Sequence, residues 1–374
     1  MSFSKTRATV ERVGVSAFAI PTDFPEADGT LEWHRTVLVA VELLGGGERG
    51  FGYTYADEAT AKLVEATLAE VVLGADCFAI PALRAAMRRK VRNLGARGVA
   101  AMAVSAVDVA LWDLKARVLG VPLLALLGAR RDSVAVYGSG GFTSYPLERL
   151  EQQLGGWARE GFGRVKMKVG SDAARDPERV RATRAAVGAG VELFVDANGA
   201  YAQKQALALA ERFAEQGVVW FEEPVSSDDL AGLRLLRDRA PAGMEIAAGE
   251  YGYESGYFRR MLDAGAVDVL QADATRCGGV SGFLDAAALA DAAGRPLSAH
   301  CAPALHAVLG CACERVRHLE YFHDHARIER DWFDGAPLPE RGMLAPDPAR
   351  PGLGFMLRAE RAESHRIASA SRGA

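Results

Sequence analysis

The second half of the chain alternates short apolar segments with amphipathic ones, and this alternation limits the possible folds more than any other feature. Eight apolar segments of strand length follow one another from Ser133: SVAVYGS, RVKMKVG, VELFVDANG, VVWFEEP, EIAAGE, VDVLQAD, PLSAH and RHLEYF. Helical patterns such as RDPERVRATRAAVG, QALALAERFAEQG and SGFLDAAALADAAG lie between them. Strands that alternate with helices form parallel sheets, and eight such units close into a barrel. The sequence therefore predicts an α/β fold, a (β/α)8 barrel or a variant that lacks one helix.

The chain before this alternation predicts a separate domain. TRATVERVGVSAFAI and RTVLVAVELLG alternate as antiparallel strands do, and EATAKLVEATLAEVVLG and VAAMAVSAVDVALWDLKARVLG carry apolar residues at helical spacing. Strands followed by helices without alternation are typical of an α+β domain. The tail after Asp331, rich in Pro and Gly at first, leaves the barrel pattern. We predict an α+β domain over 1–127, the barrel over 128–330, and a segment over 331–374 that returns to the first domain.

Composition and charge exclude several classes of protein. The 374 residues are enough for two domains, and a net charge of −4 offers no basic surface for nucleic acid. The five cysteines are odd in number and lack CxxC spacing, which disfavours a disulfide framework and a structural zinc site. The start of the chain lacks the order of a secretory signal, and no apolar run is long enough to span a membrane. We therefore expect a cytoplasmic protein without membrane or nucleic-acid partners.

Three acidic residues close three successive predicted strands. Asp196 ends VELFVD, Glu222 follows it by 26 residues in VVWFEEP, and Glu250 follows after a further 28 at the end of EIAAGE. The carboxyl ends of barrel strands meet at one mouth, where active sites lie. Each acid alone would more often cap the next helix, but three clustered carboxylates repel one another unless a cation neutralises them. An all-oxygen set with room for water favours Mg²⁺, and zinc is disfavoured because no His or Cys joins it.

Further charged residues follow the same rhythm. Lys166 and Lys168 share one face of RVKMKVG, Asp273 and His300 end strands six and seven, and Glu320 falls in strand eight, where it could equally be a salt-bridge partner. Asp273 is placed to fix the tautomer of His300. Lys168 and His300 should then flank the mouth from roughly opposite sides. This layout suits removal of a proton next to a substrate carboxylate, with Lys168 as a base whose pKa is lowered by Lys166 and the metal.

These residues resemble the enolase superfamily, specifically its mandelate racemase branch, over nearly the whole chain. KMK resembles the family's Lys-x-Lys motif, and VDANG, FEEP and AAGE resemble its three metal-ligand strands. QADATRCGG with SAH resembles the branch's Asp–His dyad, and HLE its strand-eight glutamate, which contacts the substrate carboxylate. The muconate-lactonizing branch carries lysine where Asp273 stands, so that branch is disfavoured. The resemblance implies a (β/α)7β modified TIM barrel with an N-terminal α+β capping domain, and one Mg²⁺ per active site on Asp196, Glu222 and Glu250.

The resemblance implies chemistry on a small carboxylate and leaves its outcome open. Most members of the branch resemble acid-sugar dehydratases, which take the C2 proton of an aldonate or aldarate and expel the C3 hydroxyl to give a 2-keto-3-deoxy product. Some of these carry a His two residues after the first metal ligand, whereas this chain has Asn198. We predict a Mg²⁺-dependent acid-sugar dehydratase, with a racemase, epimerase or cycloisomerase as the alternative.

Contacts to the distal end of the substrate are expected from the capping domain. Its early loop, PTDFPEADGTLEWHRT, is the candidate for closing over the barrel mouth, and a solvated loop is the competing interpretation. The predicted substrate-contacting residues are Trp33, His34, Tyr53, Asn198 and Arg276. We also expect a homo-oligomer, between a dimer and an octamer.

Two further classes compete with an acid-sugar enzyme. A catalytically silent barrel used as a binding module is disfavoured, because a retired enzyme would be free to lose some of these mouth residues. A phosphate-sugar barrel enzyme is suggested by RCGG at 276–279, which resembles a phosphate cradle. That segment follows strand six, and no second Gly-rich loop follows strand eight, so this class is disfavoured as well.

Overall fold

The computed structural model describes residues 7–373, and the N-terminal strands form an antiparallel meander in it. The strands are β1 (Val10–Ala27), β2 (Glu32–Gly45) and β3 (Glu48–Tyr55). The helices that follow are α1 (Glu58–Leu63), α2 (Ala69–Val72), α3 (Ile80–Lys90), α4 (Val99–Leu119) and α5 (Leu123–Leu127). A π-helical turn over Val64–Leu68 joins α1 to α2, and a 3₁₀ turn over Arg92–Leu94 follows α3.

Helix α4 packs closely on β3 because β3 carries glycine where the two cross. A Cβ atom at Gly50 or Gly52 would collide with the helix backbone at Ala106 and Ala110. The close approach buries most of α4 between the sheet and the rest of the molecule. Burial of this kind is the main source of stability for a long apolar helix.

Eight parallel strands close into a barrel through pairing of the last with the first. These strands are β4 (Val134–Gly140), β5 (Arg164–Lys168), β6 (Glu192–Asp196), β7 (Val218–Glu222), β8 (Glu245–Ala248), β9 (Val269–Ala272), β10 (Leu297–Ala299) and β11 (Val316–Phe322). The seven helices between them are α6 (Leu147–Arg159), α7 (Asp176–Val187), α8 (Gln203–Ala214), α9 (Leu230–Arg239), α10 (Ser255–Asp263), α11 (Gly279–Ala292) and α12 (Pro303–Ala312). Leu319 of β11 lies opposite Val136 of β4, which completes the ring. The architecture is the predicted (β/α)7β barrel.

Side chains alternate between the two faces of each barrel strand. On β5, Val165 and Met167 pack in the large apolar core shared with the surrounding helices. Aromatic and aliphatic residues of other strands, including Phe194 and Trp220, form a small separate cluster with Tyr137. Lys166 lies over the ring of Tyr137, at 5.6 Å from its centroid, so the lysine face of β5 points into the barrel. The period of two in RVKMKVG therefore sends its charged residues to the interior.

The chain after the barrel runs back along it to the first domain. It comprises α13 (His323–Trp332), β12 (Phe333–Asp334), β13 (Met343–Leu344), β14 (Met356–Leu357), α14 (Ala359–Ala362), a 3₁₀ turn over Glu363–His365 and β15 (Arg366–Gly373). Strand β13 pairs antiparallel with β4, and β15 pairs antiparallel with β1 at the edge of the N-terminal sheet. The domain limits at residues 127 and 330 stay predictions, although this return of the tail agrees with them.

Two further expectations bear on the whole chain. All five cysteines are free thiols buried in the protein, as expected for a chain without a disulfide framework. Within residues 7–373, no helix has both the length and the apolar character needed to cross a bilayer.

Candidate active site

Three acids meet where β6, β7 and β8 end. Asp196 and Glu222 are the last residues of β6 and β7 and lie opposite each other in the parallel register, and Glu250 follows β8 by two residues. One carboxylate oxygen from each lies within 4.8 Å of the other two, and all three side chains are buried. The structure thus brings together the three residues predicted as metal ligands.

The chemistry of this trio fits a divalent cation that prefers oxygen. Burial, and then the charge of Asp196, raise the pKa of Glu222 to about 8, as expected when buried carboxylates repel each other. Oε2 of Glu250 is buried without a hydrogen-bond partner among the described residues; His300 Nε2 lies 3.3 Å away but outside hydrogen-bonding geometry. A buried oxygen without a partner needs an explanation, and a cation bound by the trio would provide one. Asp196, Glu222 and Glu250 would hold Mg²⁺.

The two lysines of β5 point at the same acids. Nζ of Lys166 contacts Glu222 and lies 3.1 Å from Asp196 Oδ2 and 2.8 Å from Glu320 Oε1. Nζ of Lys168 lies 2.5 Å from Asp196 Oδ2 and 3.1 Å from Asn198 Oδ1. In this structure the ammonium groups therefore bond protein carboxylates, and only Lys168 has the Asn198 amide as an additional acceptor.

The predicted lowering of the pKa of Lys168 counts the charge of the metal as well as that of Lys166, and it stays a prediction for the metal-bound protein, because the metal-free protein shows the opposite shift. Burial does lower its pKa, and the charge of Lys166 also acts in that direction. The carboxylates of Asp196, Glu250 and Glu320 outweigh both, so the pKa of Lys168 lies above its usual range. Without the metal, the acids around Lys168 therefore hold its proton more firmly than Lys166 repels it.

His300 and Asp273 form a hydrogen-bonded pair next to the acids. Nδ1 of His300 donates to Asp273 Oδ2 at 2.9 Å, and Thr275 donates to the other oxygen of Asp273 from both its amide and its hydroxyl at 2.7 Å. The pKa of Asp273 is lowered below its usual range, because the bond to His300 and its charge outweigh burial. Nε2 of His300 is left facing Glu250 and Glu320, at 3.3 and 3.6 Å. Lys168 and His300 thus contact different members of one acid cluster.

Glu320 is anchored from three sides. Ser139 at the mouth end of β4 donates its hydroxyl to Oε1 at 2.6 Å, and Lys166 contacts the same oxygen. The amide of Cys301 donates to Oε2 at 3.0 Å. Sequence analysis missed Ser139; its place at the mouth end of the first barrel strand, in SVAVYGS, was the available signal.

Arg276 lies beside the site with its charge already paired. Its Nη1 donates to the backbone oxygen of Glu250 at 3.3 Å and to Oε1 at 3.4 Å, and its guanidinium lies 5.5 Å from the ring centroid of Tyr251. The carboxylates of Glu250 and Asp273 outweigh burial and raise the pKa of Arg276. In this structure it positions Glu250.

The hairpin of β1 and β2 covers one side of the mouth. Trp33 packs edge to face against Phe142 at 5.6 Å and donates its indole N–H to Glu26 Oε2 at 2.8 Å. Phe142 belongs to an apolar cluster with Tyr145, Phe322 and Cys301, the neighbour of His300. Burial above all raises the pKa of Glu26 to about 9, a buried acid that sequence analysis missed. Trp33 is therefore the hairpin residue that adjoins the site.

Two predicted substrate contacts, His34 and Tyr53, lie in opposite surroundings. His34 is exposed, and its side chain makes no hydrogen bond to any described residue. Tyr53 is fully buried, and its hydroxyl donates to Glu329 at 2.8 Å. Tyr53 thus packs at the junction of the two domains, and its contact with the substrate stays a prediction.

Comparison with protein families accounts for most of the chain. Residues 12–128 match the mandelate racemase / muconate lactonizing enzyme N-terminal domain, and residues 149–362 match the enolase C-terminal domain-like family. The chain is 32% identical over 366 residues to L-talarate/galactarate dehydratase of Salmonella typhimurium, covering 95% of this chain and 90% of that protein.

Two solved structures are similar over the whole fold. A mandelate racemase/muconate lactonizing enzyme-like protein from Rubrobacter xylanophilus has a TM-score of 0.94 and 56% identity, covering 96% of this chain and 100% of that one. A racemase from Streptomyces coelicolor with bound magnesium has a TM-score of 0.90 and 30% identity, with the same coverage of 96% and 100%.

Proposed function

The chain belongs to the mandelate racemase / muconate lactonizing enzyme family of the enolase superfamily, and from this membership we propose that it is a Mg²⁺-dependent acid-sugar dehydratase. The substrate class is an aldonate or aldarate, and the product a 2-keto-3-deoxy acid. The observation that carries the proposal is the placement of Lys168 and of the Asp273–His300 pair against one cluster of three acids.

The residues around the cluster are arranged to bind the carboxylate of the substrate. Lys166 contacts Glu320, and its ammonium is the group suited to a substrate carboxylate, because it donates hydrogen bonds whereas the ionised Glu320 only accepts them. When bound, Mg²⁺ supplies positive charge for the second negative charge that forms on that carboxylate as the C2 proton leaves. The buried walls of the site exclude water, which strengthens each of these interactions.

Proton transfer falls to the two flanking groups. The C2–H bond breaks as the neutral amine of Lys168 or the neutral imidazole of His300 takes the proton, and its electron pair passes to the substrate carboxylate and from there forms the C2–C3 double bond. The C3–O bond breaks, and the hydroxyl leaves as water with a proton from one of the same two residues. The enol then becomes the 2-keto-3-deoxy acid. A substrate of one C2 configuration presents its proton to Lys168, and one of the other configuration presents it to His300.

Asn198 favours a second candidate, a racemase or epimerase. Its Oδ1 accepts a hydrogen bond from Lys168 at 3.1 Å, so the amide orients the base. A neutral amide does not donate a proton to a leaving hydroxyl. If no group serves as that acid, the proton returns to C2, and delivery from the opposite face inverts the carbon. A cycloisomerase would use the same proton transfers.

A single screen tests both outcomes. Aldonates and aldarates are incubated with the protein and Mg²⁺ in D₂O, and both 2-keto acid and deuterium at C2 are followed. Keto acid from at least one compound is the expected result. Deuterium at C2 without keto acid would replace the dehydratase by the racemase or epimerase, and neither signal from any compound would contradict both.

The oligomeric state and the cellular location of the protein remain proposals. We propose a homo-oligomer between dimer and octamer, which light scattering of the purified protein would test. We also propose that the protein works in the cytoplasm, which fractionation of the source cells would test.

A further inference from the structure

Three different metal-binding atoms, from His300, Cys301 and Glu320, lie together beside the acid trio. Nε2 of His300 is 3.3 Å from Sγ of Cys301, Sγ is 3.5 Å from Oε2 of Glu320, and Oε2 is 3.6 Å from Nε2. All three side chains are buried. The proton transfers proposed above leave the thiol of Cys301 without a role.

The triangle has the size of one face of a zinc tetrahedron. Zinc bonds of about 2.3 Å to sulfur and about 2.0–2.1 Å to nitrogen or oxygen place sulfur about 3.5 Å from the other two ligands, which lie about 3.4 Å apart. The measured edges of 3.3, 3.5 and 3.6 Å differ from these values by about 0.2 Å or less. No side chain has to move far to bind.

The other atoms of these residues are held in the way that metal ligands usually are. Asp273 binds Nδ1 of His300, which leaves Nε2 as the free ring nitrogen. Ser139 and Lys166 bind Oε1 of Glu320, and the amide of Cys301 takes one lone pair of Oε2 and leaves the other. A histidine that binds a metal usually donates its other ring N–H to a carboxylate, a backbone carbonyl or water, and Asp273 is such a carboxylate.

The backbone supports the position of the thiol. Cys301 and Ala302 both have left-handed φ values, 53° and 39°, which residues with a side chain rarely adopt. The turn follows directly on His300 and places Sγ between Nε2 and Glu320.

The ligand types separate this triangle from the acid trio. Asp196, Glu222 and Glu250 offer oxygen alone, which suits Mg²⁺. Nitrogen, sulfur and oxygen together suit Zn²⁺ or Co²⁺, and thiolate is a poor ligand for Mg²⁺. The two sets therefore select different cations although they are neighbours.

We propose that His300, Cys301 and Glu320 form a second metal site, which takes Zn²⁺ with one open position and inhibits the enzyme when filled. Binding releases the thiol proton to solvent, and the Nε2 lone pair becomes a zinc bond. His300 then has no lone pair to accept a proton. The inhibition rests on the proposed function of His300, whereas the binding does not.

Binding is tested without reference to turnover. Co²⁺ replaces Zn²⁺ in the full-length protein held in excess Mg²⁺, because a cobalt–thiolate bond absorbs in the near ultraviolet through sulfur-to-metal charge transfer. We expect this absorption to saturate at one Co²⁺ per chain and to disappear when Zn²⁺ is added. Absence of the band would overturn the site.

Variants locate the bound metal. Cys301→Ser should abolish the band, whereas Cys277→Ser, which changes another buried cysteine, and Glu222→Gln, which changes the acid trio, should keep it. A band that persists in Cys301→Ser would overturn the assignment. A circular dichroism spectrum and melting curve equal to those of the wild type show that Cys301→Ser is folded; if it is not, His300→Asn is the second variant, and it should lose the band as well.

Inhibition is measured on the active, Mg²⁺-saturated protein. Zn²⁺ should inhibit the wild type, and Cys301→Ser should need at least about 10-fold more Zn²⁺ for the same inhibition, as for loss of one ligand. Equal sensitivity would overturn the inhibitory role. A cobalt band without inhibition by Zn²⁺ would show that the metal site exists and would contradict the proposed role of His300 in catalysis. Failure of the metal site and failure of the proposed function are therefore distinguishable.

Discussion

At the scale of single residues, the site is a set of buried charges that stabilise one another. Lys166 is fully buried, and its pKa is held above the usual range because Glu222, Glu320 and Asp196 outweigh the effect of burial. A buried charge that loses its partners costs several kcal/mol, on the order of 3–5. A substitution of any charged residue at the mouth should therefore affect both activity and the stability of the folded protein.

Loss of either proton-transfer group should slow turnover strongly. Lys168→Met and His300→Asn keep most of the side-chain volume and remove the group that moves the proton. We expect kcat to fall by about 10²–10⁴-fold in each, with Mg²⁺ affinity retained. Steady-state assays with the best compound from the screen measure the rates, and calorimetric titration measures Mg²⁺. A variant that keeps more than a tenth of kcat would contradict the assignment.

Loss of a charge from the acid trio should weaken metal binding. Glu222→Gln is nearly isosteric and removes one anionic ligand, so we expect Mg²⁺ to bind about 10–100-fold more weakly. The matched control is Glu245→Gln, at the opposite end of β8, where the side chain pairs with Arg317 on the surface. Unchanged affinity in Glu222→Gln, measured by the same titration, would refute its role as a ligand.

At the scale of elements, helix α13 joins the N-terminal sheet to the loop that carries His300. Glu329 on α13 accepts hydrogen bonds from the hydroxyls of Tyr53 and Tyr55 on β3, at 2.8 and 3.2 Å, and from the amide of Ala304 at the start of α12, at 2.8 Å. Helix α12 begins three residues after His300. The bond from Ala304 to Glu329 therefore holds the end of the loop that carries His300.

Glu329 should make the stability of the protein depend on pH. Burial raises its pKa in the folded protein to about 8 from 4.5, so its contribution is complete below about pH 4.5 and is lost as the pH rises to about 8. Between these limits, Glu329 lowers the unfolding free energy by up to about 1.4 kcal/mol per pH unit. Glu329→Gln cannot ionise, so its stability should fall less over this range.

Denaturant unfolding at several pH values measures that difference. Glu329→Gln should be less stable than the wild type at pH 5 by about 1–2 kcal/mol, because an amide cannot accept from all three donors. The difference should shrink or reverse by pH 8. Parallel curves for the two proteins would show that Glu329 does not titrate in this range.

At the scale of the whole molecule, a buried acid on α4 links the N-terminal domain to the returning C-terminal segment. Asp113 accepts from the amide of Phe51 on β3 at 2.7 Å, from the amide of Leu353 in the returning segment at 2.6 Å, and from Arg117 at 2.8 Å. Around it, Phe51 packs edge to face on Phe333 and Phe355, which also belong to the C-terminal part of the chain. The junction is thus fixed by charge-assisted bonds inside an aromatic core.

Asp113→Asn should therefore destabilise the protein strongly, although the two side chains are nearly the same size. All three partners are donors, and the amide group of Asn would turn two further donor hydrogens toward them. We expect a loss of about 2–4 kcal/mol, measured by denaturant unfolding. Asp228→Asn, an exposed site on a loop, should change stability by less than about 0.5 kcal/mol. Equal effects would contradict the role of Asp113.

The sequence by itself determined the barrel, the order of its strands and the acids at their ends. Side-chain period and chain spacing are local properties, and in a closed parallel barrel they alone decide which residues share the mouth. Asp196, Glu222, Glu250 and the Asp273–His300 pair could be predicted for that reason.

The tertiary structure decided what depends on contacts between distant parts of the chain. Tyr53 meets Glu329 across 276 positions, and the thiol of Cys301 meets Glu320 across 19 positions and a neighbouring strand. In the metal-free protein, the acids that the barrel places around Lys168 raise its pKa more than its sequence neighbour Lys166 lowers it. Electrostatic and hydrogen-bond energies depend on distance in space, which strand and helix patterns do not encode.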